Sequence, residues 1–214
     1  MRDFPVEVME RLLRRYDLQK ETMLEYSSPS QLLIATTLSP QCTDKQVNKV
    51  TRELFKKYRG FADYAKADIR KLQKDLSGIN YYKTKARHIK EAARIIESQF
   101  NGKLPSTIDE LMILPGVGRK VANVVLTNGM GITEGIAIDT HCITVANRLR
   151  LTGTRNPAKI EADLMRRIPK KYWLHVSNLF VTLGRDACKA SKKECWHCTL
   201  NDICPSSNFN PRKN

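Results

Sequence analysis

Apolar residues recur along most of this chain at steps of three and four, the period of one face of an α-helix, and polar residues fill the positions between. Between Thr43 and Tyr58 the apolar positions are Val47, Val50, Leu54 and Tyr58, while Lys45, Lys49, Arg52, Lys56 and Lys57 cover the other faces. Ala86, Ile89, Ala93, Ile96 and Phe100 repeat the pattern, closed by Asn101-Gly102. Further on, Asn156-Pro157 opens a segment carrying Ile160, Leu164 and Ile168, and Trp173, Val176, Phe180 and Leu183 predict a helix that stops before Gly184. Ser28-Pro29-Ser30-Gln31 supplies an N-cap, a proline at the first helical position and a capping-box glutamine ahead of Leu32, Leu33, Ile34 and Leu38, so a short buried helix is predicted before Pro40. Only Gly135-Ile136-Ala137-Ile138 hints at extended chain, and it is too short for a sheet. The fold class is therefore all-α. Two glycines in Asn128-Gly129-Met130-Gly131 separate an earlier helical block from a later one and predict a hinge there.

Composition narrows the partners. The 214 residues suffice for one compact body, bilobed at most. Lys and Arg number 37 against 22 Asp and Glu, and the net +15 points to a polyanion, nucleic acid ahead of an anionic membrane. An apolar share of 41% argues against disorder, and no run of about 18 apolar residues exists to span a bilayer. The opening Met1-Arg2-Asp3-Phe4-Pro5 lacks an apolar signal core, so a reducing compartment is expected.

Four of the six cysteines fall inside 17 residues as Cys188-x6-Cys195-x2-Cys198-x5-Cys204, the way a chain wraps a metal centre. All-thiolate coordination suits zinc or an iron–sulfur cluster by softness alone, although a zinc ribbon would show two Cys-x2-Cys pairs and this chain has one. His197 lies inside that pair but is not needed where four thiolates suffice. Cys42 and Cys142 stand alone and read as small core residues.

The densest chemistry lies in Leu114-Pro115-Gly116-Val117-Gly118-Arg119-Lys120, preceded by a helix capped by Thr107 and followed by Val121, Val124, Val125 and Leu126 at helical spacing. That is helix, tight turn, helix. The glycines permit positive φ and expose backbone N–H groups at a helix N-terminus, where a phosphate oxygen can be held without reading base sequence. A dinucleotide fingerprint fits less well, because Val121 stands at its third glycine and Asp109 to Leu114 reads as helix. Lys120 stands at the positive end of a helix dipole and beside Arg119, and both disfavour its charged form; burial in a cleft would add to this and give a nucleophilic amine. Asp139, in Ile138-Asp139-Thr140-His141, reads first as an N-cap. If it faces Lys120 it could also take a proton or balance charge on a sugar carbon.

Together these segments resemble the endonuclease III family of DNA glycosylases, the iron–sulfur branch of the helix-hairpin-helix superfamily. The resemblance rests on the hairpin, on Ile138-Asp139-Thr140-His141 about 19 residues later, on the four-cysteine terminus and on Leu38-Ser39-Pro40-Gln41-Cys42-Thr43-Asp44. It implies a two-lobed enzyme, a six-helix barrel over 22–132 and a second lobe of 1–21 with 133–214 carrying a [4Fe-4S] cluster on Cys188, Cys195, Cys198 and Cys204. Lys120 matches the family's nucleophile and Asp139 its essential carboxylate. The implied activity is removal of oxidised or ring-saturated pyrimidines from double-stranded DNA, followed by β-elimination at the abasic site through a lysine Schiff base. Gln41 matches a residue that fills the space of the flipped nucleotide, and Tyr81 in Ile79-Asn80-Tyr81-Tyr82 lies where the family inserts a wedge.

The resemblance further implies DNA contacts by Gly116, Val117, Gly118, Arg119 and His141, and by Lys189, Lys192 and Lys193 of the cysteine loop. Two positively charged clusters, Arg119 with Lys120 and the loop lysines, are expected to flank a DNA cleft; a third, Lys83, Lys85, Arg87, Lys90 and Arg94, is also counted. Departures from the family pattern are Cys42, Val121, Thr144 and Asn80, the last where glycine is usual and where asparagine tolerates a left-handed turn. They bear on lesion preference rather than reaction class. A thymine or uracil mismatch glycosylase of the same fold, an adenine glycosylase and a non-catalytic metal-containing DNA-binding module are the alternatives. The expected setting is a prokaryotic cytoplasm, on the chromosome, as a monomer without membrane contact.

Overall fold

The structure, a computed structural model, describes residues 3–17 and 23–209. Among the described residues the helices are, in chain order, α1 (Phe4–Arg15), α2 (Pro29–Leu38), α3 (Asp44–Lys57), α4 (Phe61–Lys66), α5 (Ile69–Asp75), α6 (Tyr82–Gln99), α7 (Ile108–Met112), α8 (Arg119–Val124), α9 (Thr140–Arg148), α10 (Pro157–Arg167) and α11 (Trp173–Asp186). A π-helical turn, Val125–Gly129, continues α8, and 3₁₀ turns occupy Lys170–Tyr172 and Cys195–His197. The described residues hold no strand, only an isolated bridge between Cys188 and Lys193.

Side-chain caps set where these helices begin. Thr43, Asp68, Thr107, Asp139 and Asn156 each accept the backbone N–H three residues on, opening α3, α5, α7, α9 and α10. Each such cap contributes about 1 kcal/mol. Ser28 does the same for α2, but the Gln31 side chain reaches back to the Ser27 N–H at 2.8 Å, one residue before its expected capping-box partner.

Chain contacts divide the molecule into two units, Thr22–Glu134 and, from the two ends of the chain, Met1–Glu21 with Gly135–Asn214. Residues 18–22, where the first boundary was expected, lie outside the described residues. In the contiguous unit α2 is buried on nearly every side, through Leu32, Leu33, Ile34, Ala35, Thr37 and Leu38. Its hydroxyls make this possible, because Thr36, Thr37 and Ser39 donate to the carbonyls of Leu32, Leu33 and Ala35 one turn back. Gly129 presses against this helix: a Cβ there would come within 3.3 Å of Leu32 Cδ2 and Pro29 Cα. The hinge expected around Gly129 is thus corrected. Gly129 is a close-packing position, and the change of unit falls after Glu134.

In the other unit α9 packs on α11, α10 on α9 and α1 on α11. Val8, Met9 and Leu12 of α1 share one core with Val145, Ile160, Val176, Leu179 and Phe180. The extended stretch before α9 finds its hydrogen bond without a sheet, since the Ile136 N–H donates to the buried Glu161 carboxylate at 3.2 Å. Gly184 does not end α11, which runs on to Asp186. It lies opposite His141, with 2.7 Å between His141 Nδ1 and the place a Cβ would occupy, so close approach rather than termination explains the glycine.

Candidate functional site

Between α7 and α8 the chain turns on two glycines with different jobs. Leu114 and Val117 plug the turn into the core, and the Val117 N–H donates to Leu114 O at 3.1 Å. Gly116 sits at φ +83°, and a Cβ there would come to 3.0 Å from His88 Nδ1. Gly118 has an ordinary φ of −92° and nothing within 4 Å of a Cβ position, so it leaves open space before the N-terminus of α8. The first backbone N–H groups of a helix lack an intrahelical partner. Here they start at Gly118. Val117 departs from the expectation that grouped it with them, since its side chain is 6% exposed and its N–H is engaged inside the turn.

Arg119 and Lys120 open α8, and both side chains are exposed. The Lys120 ammonium enters no hydrogen bond or ion pair with a described residue. Burial, expected to help keep the amine neutral, is not part of its surroundings. In the other unit Asp139 caps α9 by accepting the Cys142 N–H on Oδ1 at 2.8 Å, and the half-buried carboxylate also lies against the Cys142 thiol. Burial, reinforced by the Asp139 charge, pushes the Cys142 thiol up to about 12. It stays a neutral core thiol, as the sequence suggested.

Two loops of the contiguous unit carry non-glycine residues in the left-handed region, Gln41 at φ +60° and Tyr81 at φ +57°. Such a backbone costs about 1–2 kcal/mol per residue, so neighbours must hold it. Tyr81 caps α6 and is 63% exposed; it, and not the expected Asn80, takes the left-handed turn. Asn80 instead ties the loops together, its side-chain NH₂ donating to Gln41 O at 2.6 Å and its N–H to Cys42 Sγ at 3.3 Å. Lys85, counted from the sequence in an outward basic cluster, is buried beneath them. Lys90 also leaves that cluster by donating to Ala67 O. A signal for Lys85 was present, because Tyr82, Lys85, Ile89, Ala92 and Ile96 step by 3, 4, 3 and 4 along one helical face.

The cysteine loop follows α11. All four thiols are free, and all line one pocket. Among the described residues no three His, Cys, Asp or Glu side chains are set to hold a metal ion. Arg148, at the end of α9, gave no signal in the sequence yet organises the loop: its guanidinium donates to Cys188 Sγ at 3.3 Å and to Cys188, Lys189 and Ala190 carbonyls at 2.8–3.1 Å. Burial, with the three neighbouring sulfurs adding to it, pushes the Cys198 thiol up to about 11. His197 faces Asp186 at 3.5 Å. Lys189 pairs with Glu194 and Lys193 donates to Ser206 O, both at 2.8 Å, whereas the exposed Lys192 makes no hydrogen bond to a described residue and acts on Glu194 only through its charge.

Residues 34–170 match the model of the HhH-GPD superfamily base excision DNA repair protein. Endonuclease III of Synechocystis sp. is 42% identical over 86% of this chain and 84% of its own length. Endonuclease III of Bacillus subtilis is 39% identical over the same shares. Among solved structures, a trapped endonuclease III–DNA covalent intermediate, an estranged-adenine complex, superposes with a TM-score of 0.85 at 36% identity, covering 96% of this chain and 97% of that one. With the glycine turn and its lysine inside the matched region and the identity spread over most of its length, this chain belongs to the endonuclease III family of the HhH-GPD superfamily.

Proposed function

We propose that this chain excises oxidised or ring-saturated pyrimidines from double-stranded DNA and then cleaves the abasic strand, with Lys120 as nucleophile. The placement of Lys120 carries the reading: it is exposed and unpaired, two residues beyond the glycine turn. Bare N–H groups at a helix start can hold a backbone phosphate without regard to sequence. A lysine one step further along is delivered to the adjoining sugar.

The target nucleotide leaves the stack first. Nζ of Lys120, as the neutral amine, bonds to C1′ while the glycosidic bond breaks and its electron pair departs with the base, which takes up a proton. Opening of the sugar ring at O4′ gives a protonated imine between Nζ and C1′. Loss of a C2′ proton then expels the 3′ phosphate. Asp139, with Oδ1 fixed by its own helix, takes the proton released by the attacking amine or balances positive charge at the sugar. Gln41 and Tyr81 enter the vacated position in the duplex, an aromatic stacking there on bases. Arg119, His141 and Lys192 contact phosphates.

Cys188, Cys195, Cys198 and Cys204 would hold a [4Fe-4S] cluster. Four soft donors lining one pocket, with a single Cys-x2-Cys pair where a zinc ribbon shows two, suit a polynuclear group better than a single zinc ion. When bound, the cluster supplies a rigid cross-link for the loop. No described helix is long and apolar enough to cross a membrane, and the place of work is a bacterial chromosome.

Borohydride trapping tests the mechanism. With a duplex containing an abasic site, reduction of the imine should leave protein covalently bound to DNA, and the adduct should vanish in Lys120→Ala. An undiminished adduct in that variant would sink the assignment. Preference for a mismatched thymine or uracil over ring-saturated pyrimidines in a panel of single-lesion duplexes would favour the other glycosylase reading.

A further inference from the structure

Lys85 has surroundings unlike those of a surface lysine. It is 7% exposed, and its ammonium donates to Leu38 O and Pro40 O, each at 2.7 Å, and approaches Cys42 Sγ at 3.7 Å. An ammonium has three protons, and these acceptors match all three. Two are carbonyls and one is a sulfur, with no carboxylate among them, so no ion pair explains a cation at this depth. The negative end of the α2 dipole favours it there.

The same spot is where the Gln41 loop meets the Tyr81 loop. Pro40 is held by Lys85, Gln41 by Asn80, and Cys42 by both. The Gln46 side-chain amide adds a further link by donating to Gly78 O. Both loop tips carry left-handed backbones that an untethered chain would leave.

We infer that Lys85, acting through Cys42 and Asn80, is a positioning residue that sets the separation of Gln41 and Tyr81, and with it the step in which a paired nucleotide is exchanged for those two side chains. The inference rests on the roles given above to Gln41 and Tyr81. Removing the ammonium frees both tips, whereas α8 with Lys120 makes none of these contacts. Extraction of a stacked, paired base is therefore impaired, and attack on a sugar that has already lost its base is not.

Two variants test this. Lys85→Met keeps the stem and removes the charge, and Asn80→Ala trims an exposed side chain outside the core. Single-turnover base removal is measured on a duplex with a ring-saturated pyrimidine, and borohydride-trapped adduct formation on a duplex with a preformed abasic site. Base removal should fall by about tenfold to a hundredfold, with adduct formation within about twofold of wild type. Should Lys85→Met fail to fold by circular dichroism, Asn80→Ala decides alone. An equal fall in both assays overturns the inference, and so does no fall in either when Gln41→Ala slows base removal. If Gln41→Ala and Tyr81→Ala themselves leave base removal untouched, the roles given to those residues fail, and the inference falls with them.

Discussion

His141 and Gly184 touch so closely that a methyl group on the glycine would stand 2.7 Å from the imidazole Nδ1. Gly184→Ala is therefore expected to cost about 1–3 kcal/mol through overpacking. The midpoint of urea unfolding should drop accordingly, and base removal should slow, because His141 sits in the first turn of α9 beside Asp139. An unchanged midpoint would contradict the packing.

Asp139→Asn keeps an acceptor for the cap on Cys142 but removes the charge. Base removal is expected to slow by about 10²–10⁴-fold, with little change in thermal stability. Asp139→Ala should lose the activity and about 1 kcal/mol of stability as well. Equal stability in the two variants would argue against the cap.

Salt dependence distinguishes the positive charges. Arg119→Ala is expected to lower the slope of log affinity against log salt by about 0.9 if the guanidinium meets one phosphate. Lys189→Ala should leave the slope unchanged, because that ammonium is paired with Glu194. Titrations of an undamaged duplex at several salt concentrations give both values.

For the metal centre, purified protein is expected to hold iron and acid-labile sulfide in equal amounts, about four of each per chain. Zinc at one per chain would reverse the assignment. Cys198→Ser should lose iron and lower the thermal transition, because the loop also fixes α1 through the Arg11–Asp202 ion pair at 2.6 Å.

Acid sensitivity of the contiguous unit has a local source in Asp75. Burial opposes its charge, but the Lys57 ammonium at 2.6 Å and the Tyr58 hydroxyl at 3.0 Å outweigh burial and hold the carboxyl below its ordinary value. A depressed folded value means stability that is present above the unfolded value and lost as pH falls through the folded one. Asp75→Asn should thus cost about 1.5 kcal/mol at neutral pH. The gap between wild type and variant should close as pH falls below about 4. A gap that is constant with pH would exclude this source.

Helix faces, caps and the glycine turn were legible because each is written within a few consecutive residues, as Ser28, Thr107 and Asp139 show. What stayed hidden depends on partners far along the chain. Lys85 meets Leu38 across 47 positions, and Arg148 meets Cys188 across 40. Gly184 and Gly129 looked like a stop and a hinge because a glycine chosen for close approach has the same local signature as one chosen for a turn. Asn80 was read by its backbone tolerance, while its side chain does the joining.

The two units differ in how the chain supplies them. Every helix of the Thr22–Glu134 unit has been made by the time residue 134 is added, so on a ribosome this half can fold while synthesis continues. The other half is split: α1 emerges first with Val8, Met9 and Leu12 uncovered, and α11, on which it packs, is among the last helices made. Cys204 follows later still, so the thiol cavity closes only at the end. Closure of the four-cysteine loop is thereby placed after translation of the glycine turn and Lys120, and a newborn chain acquires its hairpin before that loop is complete.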